Sequence, residues 1–223
     1  MTRVQLRDIR TEAEEKAFYA SRYPAGYRHT VWPDHVERVA ASVELIRRYS
    51  GRIRTAADLS CGDAAILLGL AASPSVRLTE VYLGDLNGPP TVAADLDAWR
   101  QHQRALGVHT VPEGLPDSLW ALPEKTLPVD LLILSETLEH VPDPDGLLRA
   151  ATHFSRYLFL STPLDEAASV GNPEHYWGWG QSDIHHLLWE SGWSPLEVQL
   201  LVPESTRHMD NAYTYQLWMA VLR

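Results

Sequence analysis

Apolar residues follow two spacings along this chain, one typical of strands and one typical of helices. Short apolar runs bounded by polar or turn residues predict β-strands. Seven such strands are expected, at 55–59, 80–83, 108–111, 130–135, 157–161, 196–202 and 213–222. Apolar residues at helical spacing predict helices before and between the strands. These helices are expected at 3–20, 35–49, 64–72, 92–106, 146–154 and 182–191.

This order of elements predicts the fold class. Repeated strand–helix units indicate an α/β protein with a mostly parallel sheet and helices on both faces. The last two strands have no helix between them, which predicts that the final strand is antiparallel. In the second helix, Asp34 is expected as the N-cap and Val36, Val39 and Ile46 on the apolar face.

Length and charge bound the organisation of the chain. Its 223 residues suit a single large domain. Within that domain we expect an N-terminal helical arm or lid over residues 1–54 and the main α/β unit over 55–223. The first segment holds eleven Lys and Arg against seven Asp and Glu, whereas the whole chain has a net charge of −10. The negative total argues against broad nucleic-acid binding. The basic arm would either steer an anionic substrate or form a solvated helix face.

Cysteine content and hydropathy indicate the compartment. A single cysteine, Cys61, excludes an internal disulfide and fits a reducing cytosol. We find no apolar run of transmembrane length and no apolar signal core at the N-terminus. A soluble, cytoplasmic protein is therefore expected, with no prediction of its oligomeric state.

The first two strands of the main unit end in residues suited to a nucleoside. The first runs into ADLSCGDAA (57–65), where Gly62 would let the backbone approach a ligand near a helix N-terminus. The second ends in YLGDLN, in which Asp85 can accept hydrogen bonds from both ribose hydroxyls. Because both strand ends meet at one edge of a parallel sheet, they predict a binding site there.

DLSCGDA resembles the first motif of class I S-adenosylmethionine-dependent methyltransferases, and Asp85 matches the ribose-binding acid of that family. Three later stretches resemble the fourth strand, the fifth strand and the late helix of that family: PVDLLILSETLEHV, YLFLSTP and SDIHHLLWESGW. Because the motifs follow one another in the same order as in the family, the resemblance is collinear over residues 35–223. The resemblance implies a Rossmann-like fold and S-adenosylmethionine as cofactor. The implied cofactor-binding residues are Asp58, Ser60, Cys61, Gly62, Asp63, Asp85, Leu86 and Ser135. Ser60 and Ala64 replace glycines that are common in the family, which leaves the cofactor's position less defined.

SETLEHV (135–141) places two carboxylates and a histidine directly after the most apolar strand. If a helical turn begins there, Glu136, Glu139 and His140 share one face and offer three ligands to a divalent ion. The alternative is that these residues cap the turn and shape the pocket, as Leu-Glu-His does in many class I methyltransferases.

A later histidine extends this pattern. Glu-x-x-Glu-His followed by His175 before an aromatic run resembles small-RNA 2′-O-methyltransferases of the Hen type, and its first part is similar to ubiquinone-pathway O-methyltransferases. The Hen-type resemblance implies a metal site of Glu136, Glu139, His140 and His175, holding Mg²⁺ or Mn²⁺. Without a metal, His140 or His175 would act as the catalytic base, or both would only satisfy backbone groups.

Aromatic residues flank this pattern. Tyr176, Trp177 and Trp179 would either stack on a planar acceptor or anchor their loop. Tyr23, Tyr27 and other polar residues of the arm would form a lid or pack the arm onto the sheet.

Together these features predict an S-adenosylmethionine-dependent methyltransferase. The expected reaction is O-methylation of a small-molecule hydroxyl on a nucleoside, sugar or phenol, with a divalent metal as possible cofactor. N-methylation stays open. The alternatives are an RNA ribose 2′-O-methyltransferase of the Hen type and a non-catalytic nucleoside-binding protein. Expected partners are a small-molecule acceptor, with RNA as the alternative, and no membrane.

Overall fold

The computed structural model describes residues 3–22, 31–85, 107–110, 129–167, 172–209 and 212–223. Its strands in chain order are β1 (Val4–Gln5), β2 (Thr55–Asp58), β3 (Glu80–Leu83), β4 (Gly107–Thr110), β5 (Val129–Ser135), β6 (Ser155–Pro163), β7 (Trp177–Gly178), β8 (Trp193–Leu201) and β9 (Tyr215–Leu222). Its helices are α1 (Glu12–Arg22), α2 (Pro33–Arg47), α3 (Ala65–Ala72), α4 (Pro144–Ala151) and α5 (Gln181–Glu190). The helix predicted at 92–106 lies outside the described residues.

Seven strands form the main sheet, in the order β4-β3-β2-β5-β6-β9-β8. The pairs within β4-β3-β2-β5-β6 are parallel, and β9 is antiparallel to both β6 and β8. The predicted fold class is therefore confirmed, including the antiparallel final strand. The paired ends Asp58, Leu83 and Ser161 place the loops after β2, β3, β5 and β6 at one edge, called the carboxyl edge below.

Each face of this sheet is buried by different helices, because successive side chains of a strand point to opposite faces. In β5, Leu131 and Ile133 pack on the core with α2 and α3. Leu132 and Leu134 pack on the core with α4 and α5. All four side chains are at most 1% exposed, which explains why β5 is a nearly continuous apolar run.

The N-terminal segment differs from the predicted helix at 3–20. Its first residues form β1, which pairs antiparallel with β7 through Val4–Gly178 and Gln5–Trp177. The helix begins only at Glu12. Strand β7 is contributed by the loop that holds His175, so a tertiary partner overrides the local helical preference of residues 4 and 5. Of the arm expected over residues 1–54, only residues 3–22 keep that name below, because helix α2 packs into the sheet core.

Helix α2 also departs from its sequence-based description. It begins at Pro33 after Trp32, so Asp34 lies in the first turn and is not the N-cap. The Asp34 carboxylate instead accepts a hydrogen bond from the Tyr215 hydroxyl at 3.1 Å. Val36 is 48% exposed, and the buried face holds Arg38 and Ser42. Of the residues expected on the apolar face, Ile46 is buried and Val39 packs against the core, whereas Val36 lies outside the buried face.

Helix α2 belongs to the sheet core and not to a detached arm, since Leu45 and Ile46 are buried there. The division of the chain at residue 54 stays a prediction. Among the residues that the structure describes, none of the helices combines the length and the hydropathy needed to span a bilayer.

Candidate active site

The loop after β2 is tied closely to the end of β3. The Gly84 amide donates to the Asp58 carbonyl at 2.9 Å, and the Cys61 amide donates to the Gly84 carbonyl at 3.0 Å. Gly62 and Ala64 adopt left-handed backbone angles, with φ of 52° and 57°. A glycine adopts such a conformation without strain, whereas an alanine does so at a cost. The loop therefore closes although Ala64 replaces a glycine.

Asp85 closes this loop from the neighbouring strand. Its Oδ2 accepts a hydrogen bond from the Gly62 amide at 2.9 Å. On the other side, the Ser60 hydroxyl lies 2.6 Å from the Thr137 hydroxyl, which joins the loop to the turn after β5. The structure thus brings together seven of the eight residues predicted to bind the cofactor. Leu86 lies outside the described residues.

Asp58 is buried at the end of β2, where it is 3% exposed. Burial raises the pKa of its carboxyl to about 8, and the negative charges of Asp85 and Asp63 add to the effect. The Ser60 amide, 3.3 Å from Oδ1, and the Arg38 charge lower it only in part. Burial likewise raises the pKa of the Cys61 thiol well above its usual value, which argues against Cys61 as a nucleophile.

Arg38 is a functional candidate that the sequence analysis missed. Its guanidinium is buried at the carboxyl edge, where Nη1 donates to the Ser135 hydroxyl at 2.6 Å and lies 4.0 Å from Glu136 Oε1. It also lies over the Tyr215 ring, 5.6 Å from the centroid. Its sequence signal was the position of Arg38 four residues before Ser42, on the same helix face as the apolar Leu45, which indicates that Arg38 is buried. Arg38 thus places one buried cation among carboxylates.

Glu136 is held differently from the helical arrangement expected. Its φ of 50° lies in the left-handed region, and the 3₁₀ turn begins only at Leu138. The expectation that a helical turn aligns Glu136 with Glu139 and His140 is therefore wrong. The Glu136 amide donates to the Ser161 carbonyl, and its Oε1 accepts from the Ser161 hydroxyl, both at 2.9 Å. A non-glycine residue in this conformation is a strained feature of the kind found at functional sites.

Three of the four predicted metal ligands do converge. Glu139, His140 and His175 each place one ligand atom within 4.8 Å of the others. The two histidine rings meet edge to face, with centroids 4.8 Å apart. Glu139 and His140 come from the turn after β5, whereas His175 comes from the loop before β7. A hydrogen bond of 2.6 Å from the Tyr176 amide to the Glu139 carbonyl joins the two segments.

Glu139 is the unusual member of this cluster. Its side chain is fully buried, and neither carboxylate oxygen has a hydrogen-bond partner among the described residues. Burial raises the pKa of this carboxyl well above its usual range, and the charges of Glu136 and Glu166 raise it further. Burying a carboxylate without a hydrogen-bond partner costs free energy, and proteins usually offset this cost by an ion pair or by ligation of a metal.

His140 is oriented through Nδ1. This nitrogen lies 2.7 Å from the Tyr19 hydroxyl of the arm and 3.1 Å from the Glu174 carbonyl. Because a backbone carbonyl only accepts, its contact favours the proton on Nδ1, which leaves the lone pair on Nε2. Metal-ligating histidines are generally held in this way by a second partner.

Glu166, which the sequence analysis did not single out, provides the equivalent contact to His175. It is 4% exposed and lies just beyond the end of β6, and its Oε2 is hydrogen-bonded to His175 Nδ1. Asn172 Nδ2 lies 3.1 Å from the other ring nitrogen, Nε2. The only sequence signal for Glu166 was its place after a strand that ends at the carboxyl edge.

The arm and the aromatic residues fasten the loop that holds His175. Three arm residues donate to loop carbonyls: Leu6 to Tyr176 at 2.7 Å, Arg7 to His175 at 2.8 Å and Arg10 to Pro173 at 2.5 Å. The Arg3 guanidinium lies over the rings of Trp177 and Trp179, 4.1 and 4.9 Å from their centroids. Tyr176 and Trp179 are each 1% exposed, which favours the loop-anchoring interpretation over stacking on an acceptor.

The cluster meets the requirements of a divalent-metal site on its own chemistry. It offers a buried carboxylate without a hydrogen-bond partner among the described residues, and two imidazoles, each held through one nitrogen by an acceptor. Carboxylate and imidazole together suit Mn²⁺, Fe²⁺, Co²⁺ or Zn²⁺ better than Mg²⁺. The nearby Glu136 adds a second negative charge that would favour any cation.

Gly178 is needed for the approach of Glu166 to this site. A Cβ at position 178 would lie 2.2 Å from the Glu166 carbonyl oxygen, a backbone atom that cannot rotate away. We expect Gly178→Ala to lower the free energy of unfolding by about 2–3 kcal/mol, as for other overpacked sites. Gly51→Ala is the matched control, since nothing lies within 4 Å of its Cβ and a change of under about 0.5 kcal/mol is expected. Urea unfolding measures both, and equal stabilities would show that this approach is not tight.

Comparison with known proteins supports the fold. No protein-family model matches the sequence, and no curated protein matches it significantly. Among solved structures, the magnesium protoporphyrin IX methyltransferase ChlM of Synechocystis PCC 6803, with bound S-adenosylhomocysteine, is 17% identical with a TM-score of 0.64, over 96% of this chain and 100% of that chain.

Two further structures extend the comparison. The small RNA methyltransferase HEN1 is 18% identical with a TM-score of 0.63, over 85% of this chain but only 26% of HEN1. The [4+2]-cyclase SpnF is 12% identical with a TM-score of 0.58, over 81% of this chain and 80% of that chain. Enzymes of different activity thus share this architecture, as expected when function resides in sites built on a common fold. The chain has the Rossmann-like fold of class I methyltransferases.

Proposed function

We propose that this protein is an S-adenosylmethionine-dependent methyltransferase that methylates a hydroxyl group of a small molecule with the help of a divalent metal ion. The fold, the closed loop after β2 and Asp85 at the end of β3 support the cofactor. The cluster of Glu139, His140 and His175 supports the metal.

One observation carries this proposal above the others. The fully buried Glu139 carboxylate has no hydrogen-bond partner among the described residues, and its Oε1 lies 4.0 Å from His140 Nε2, at the edge where β2 and β3 would present the nucleoside site. A chain selected only for stability would replace such a carboxylate, since an apolar side chain there costs less. Its presence is explained if a cation binds there during the reaction.

The residues of the loop and of β3 would bind the cofactor. A carboxylate has lone pairs for several donors, so Asp85 can hold the Gly62 amide and accept from ribose hydroxyls as well. The negative charges of Asp63 and Asp85 make this end of the site acidic, which suits a sulfonium cation. Ser60 and Ser135 line the connection between this loop and the turn that leads to Glu139.

Glu139, His140 and His175 would hold the ion, with Glu136 beside them as a fourth candidate. A bound divalent ion lowers the pKa of a hydroxyl group and orients it for attack on the methyl group. The chain's own residues hold the two imidazoles in place and, through Arg38, balance the charge of Glu136. If no ion is needed, His175 is the better candidate for the general base, because Glu166 orients it as the acid orients the histidine of a catalytic triad.

A methyl-transfer assay tests the proposal. With tritiated S-adenosylmethionine, purified protein and cell extract, we expect label in the small-molecule fraction. Labelling should fall at least about tenfold after chelation and return with Mn²⁺, because activation of a hydroxyl through a metal contributes several kcal/mol. Label that is insensitive to chelation would support a histidine base without a metal.

The control for the cofactor site is a pair of substitutions, one just beyond the end of β3 and one at its start. Asp85→Asn retains an acceptor for the Gly62 amide but removes the charge that would receive the ribose hydroxyls. We expect its affinity for S-adenosylhomocysteine to fall about tenfold or more, since hydrogen bonds to charged groups are worth ~1.5–3 kcal/mol. Glu80→Gln, at the opposite end of β3, should leave the affinity unchanged. Equal affinities would place the nucleoside elsewhere.

Terminal ribose methylation of RNA is the second candidate. The three-ligand cluster and the shared fold with HEN1 support it, because the two neighbouring hydroxyls of a terminal ribose suit a divalent ion. In the same assay, label would appear in the RNA fraction and binding would weaken steeply with salt. Binding of S-adenosylhomocysteine without label in any fraction would instead favour a nucleoside-binding protein that transfers nothing.

A further inference from the structure

His175 and three neighbouring side chains form a hydrogen-bond network in which every donor can be assigned. Asn172 Oδ1 accepts from the Glu174 amide at 2.9 Å, which fixes the orientation of the Asn172 side-chain amide. Its Nδ2 group therefore faces His175 Nε2 at 3.1 Å and the Tyr213 hydroxyl oxygen at 3.2 Å. The Tyr213 hydroxyl, 3.2 Å from Glu166 Oε1, then donates to that carboxylate.

These directions leave one tautomer for His175. An amide NH₂ group only donates, so the Nε2 atom that it faces must carry the lone pair. The ring proton then lies on Nδ1, which donates to Glu166 Oε2. Glu166 accepts from two donors and is itself buried, so its carboxyl group is held in place. Burial raises the pKa of the Tyr213 hydroxyl and the nearby Glu166 carboxylate raises it further, which keeps this hydroxyl a donor.

We infer that Glu166 is the positioning residue of His175: it holds the ring plane and the Nδ1–H tautomer, so that the lone pair lies on Nε2 of a ring that packs against His140. In the structure Asn172 occupies that lone pair with a weak amide donor, which a cation would replace. The same arrangement serves a metal ligand and a general base. The assignment of the His175 tautomer is independent of the proposed function, whereas the expected effect of Glu166 on Mn²⁺ affinity rests on it.

Nitrogen-15 NMR of the histidine side chains tests the tautomer directly. We expect His175 of the metal-free protein to be the Nδ1–H form. Glu166→Leu removes the acceptor, so the Nε2–H form should become populated. Glu166→Gln retains an acceptor oxygen and should retain the Nδ1–H form. A wild-type Nε2–H form, or a tautomer that does not change in Glu166→Leu, would overturn the inference, and Glu166→Gln keeps the test informative if Glu166→Leu does not fold.

Calorimetric titration with Mn²⁺ adds a second readout. Loss of a carboxylate that orients a histidine ligand typically costs 10–100-fold in metal affinity, which we expect for Glu166→Leu, with a smaller loss for Glu166→Gln. Asp165→Asn is the matched control, because this neighbouring carboxylate is exposed and its removal should leave affinity unchanged. Equal affinity in wild type and Glu166→Leu would overturn the positioning role. Absence of Mn²⁺ binding in a wild type with the Nδ1–H tautomer would refute the proposed metal and leave the assignment of Glu166 intact.

Discussion

Glu139→Met is expected to abolish tight Mn²⁺ binding and, in the metal-free protein, to raise the free energy of unfolding. Methionine has nearly the length of glutamate but no polar group, so it fills the same buried volume. The first effect follows because Glu139 is one of only three close ligand groups in the described cluster. The second follows because the wild-type carboxylate is fully buried without a hydrogen-bond partner among the described residues.

The two effects have different sizes. Loss of an orienting contact costs 10–100-fold in metal affinity, so loss of a ligand itself should cost more than about 100-fold. Leaving a buried polar group unpaired costs about 1–3 kcal/mol, and removing it should return a gain of this size to the metal-free protein. The nearby Thr162 hydroxyl slightly lowers the pKa of Glu139, so it stabilises the ionised carboxylate to a small extent, although the two groups do not have hydrogen-bond geometry. This contact reduces the expected gain in stability only in part. Opposite effects on binding and on stability distinguish a functional residue from a structural one.

Calorimetry with Mn²⁺ and urea unfolding of chelator-treated protein measure the two effects. Glu44→Met on α2 is the matched control, since its side chain is 57% exposed and neither quantity should change. Glu136→Gln tests the fourth predicted ligand in the same way. Unchanged Mn²⁺ affinity in Glu139→Met would remove Glu139 from the site. A less stable variant would show that the carboxylate has a favourable partner in the metal-free protein.

The fold could be predicted because its signals are local. Strand β5 is buried on both faces and β3 is bounded by turn residues, so each stands out as a run of the right length. The order of strands and helices then limits the possible sheet topologies to a few. The short strand β1 could not be predicted, because two residues have no periodicity and the segment is extended only through its pairing with β7.

The site was predicted in part for the same reason. Glu139 and His140 are adjacent in sequence, and His175 could be proposed because a family pattern links it to them. Arg38 and Glu166 act through contacts with residues 97 and 9 positions away, Ser135 and His175. No spacing rule connects such pairs. Glu136 shows the converse, since its sequence spacing suggested a shared helical face that its left-handed backbone does not allow.

Charge unites the two halves of the site. Asp58, Asp63 and Asp85 lie at one end and Glu136, Glu139 and Glu166 at the other. The buried cation Arg38 lies 4.0 Å from Glu136, and its charge lowers the pKa of Asp58. Such an arrangement is unfavourable for the protein alone and favourable once cations bind. The same reasoning that applies to Glu139 at the metal cluster therefore applies to Asp58 at the cofactor loop, where it gives a dependence on pH.

The protonation of Asp58 links stability to pH. Its folded-state pKa of about 8 is well above that of an unfolded aspartate, near 4, so folding takes up a proton between these values. The contribution of this carboxyl to stability is complete below pH 4. It is lost progressively as the pH rises toward 8, because the carboxyl ionises freely in the unfolded protein but stays protonated in the folded protein, so a rising pH favours unfolding.

Asp58→Asn should remove this loss, since the amide is neutral at every pH and its oxygen can still accept from the Ser60 amide. We expect the variant to match the wild type near pH 4 and to exceed its free energy of unfolding by roughly 2–4 kcal/mol at pH 8.5. Urea unfolding of the ligand-free protein across this range gives the difference. Asp130→Asn, at the opposite end of the sheet, should instead lower stability, because the Asp130 carboxylate accepts from the amides of Arg54 and Thr55 at 2.7 and 3.0 Å. A difference between wild type and Asp58→Asn that does not grow with pH would show that Asp58 is ionised in the folded protein.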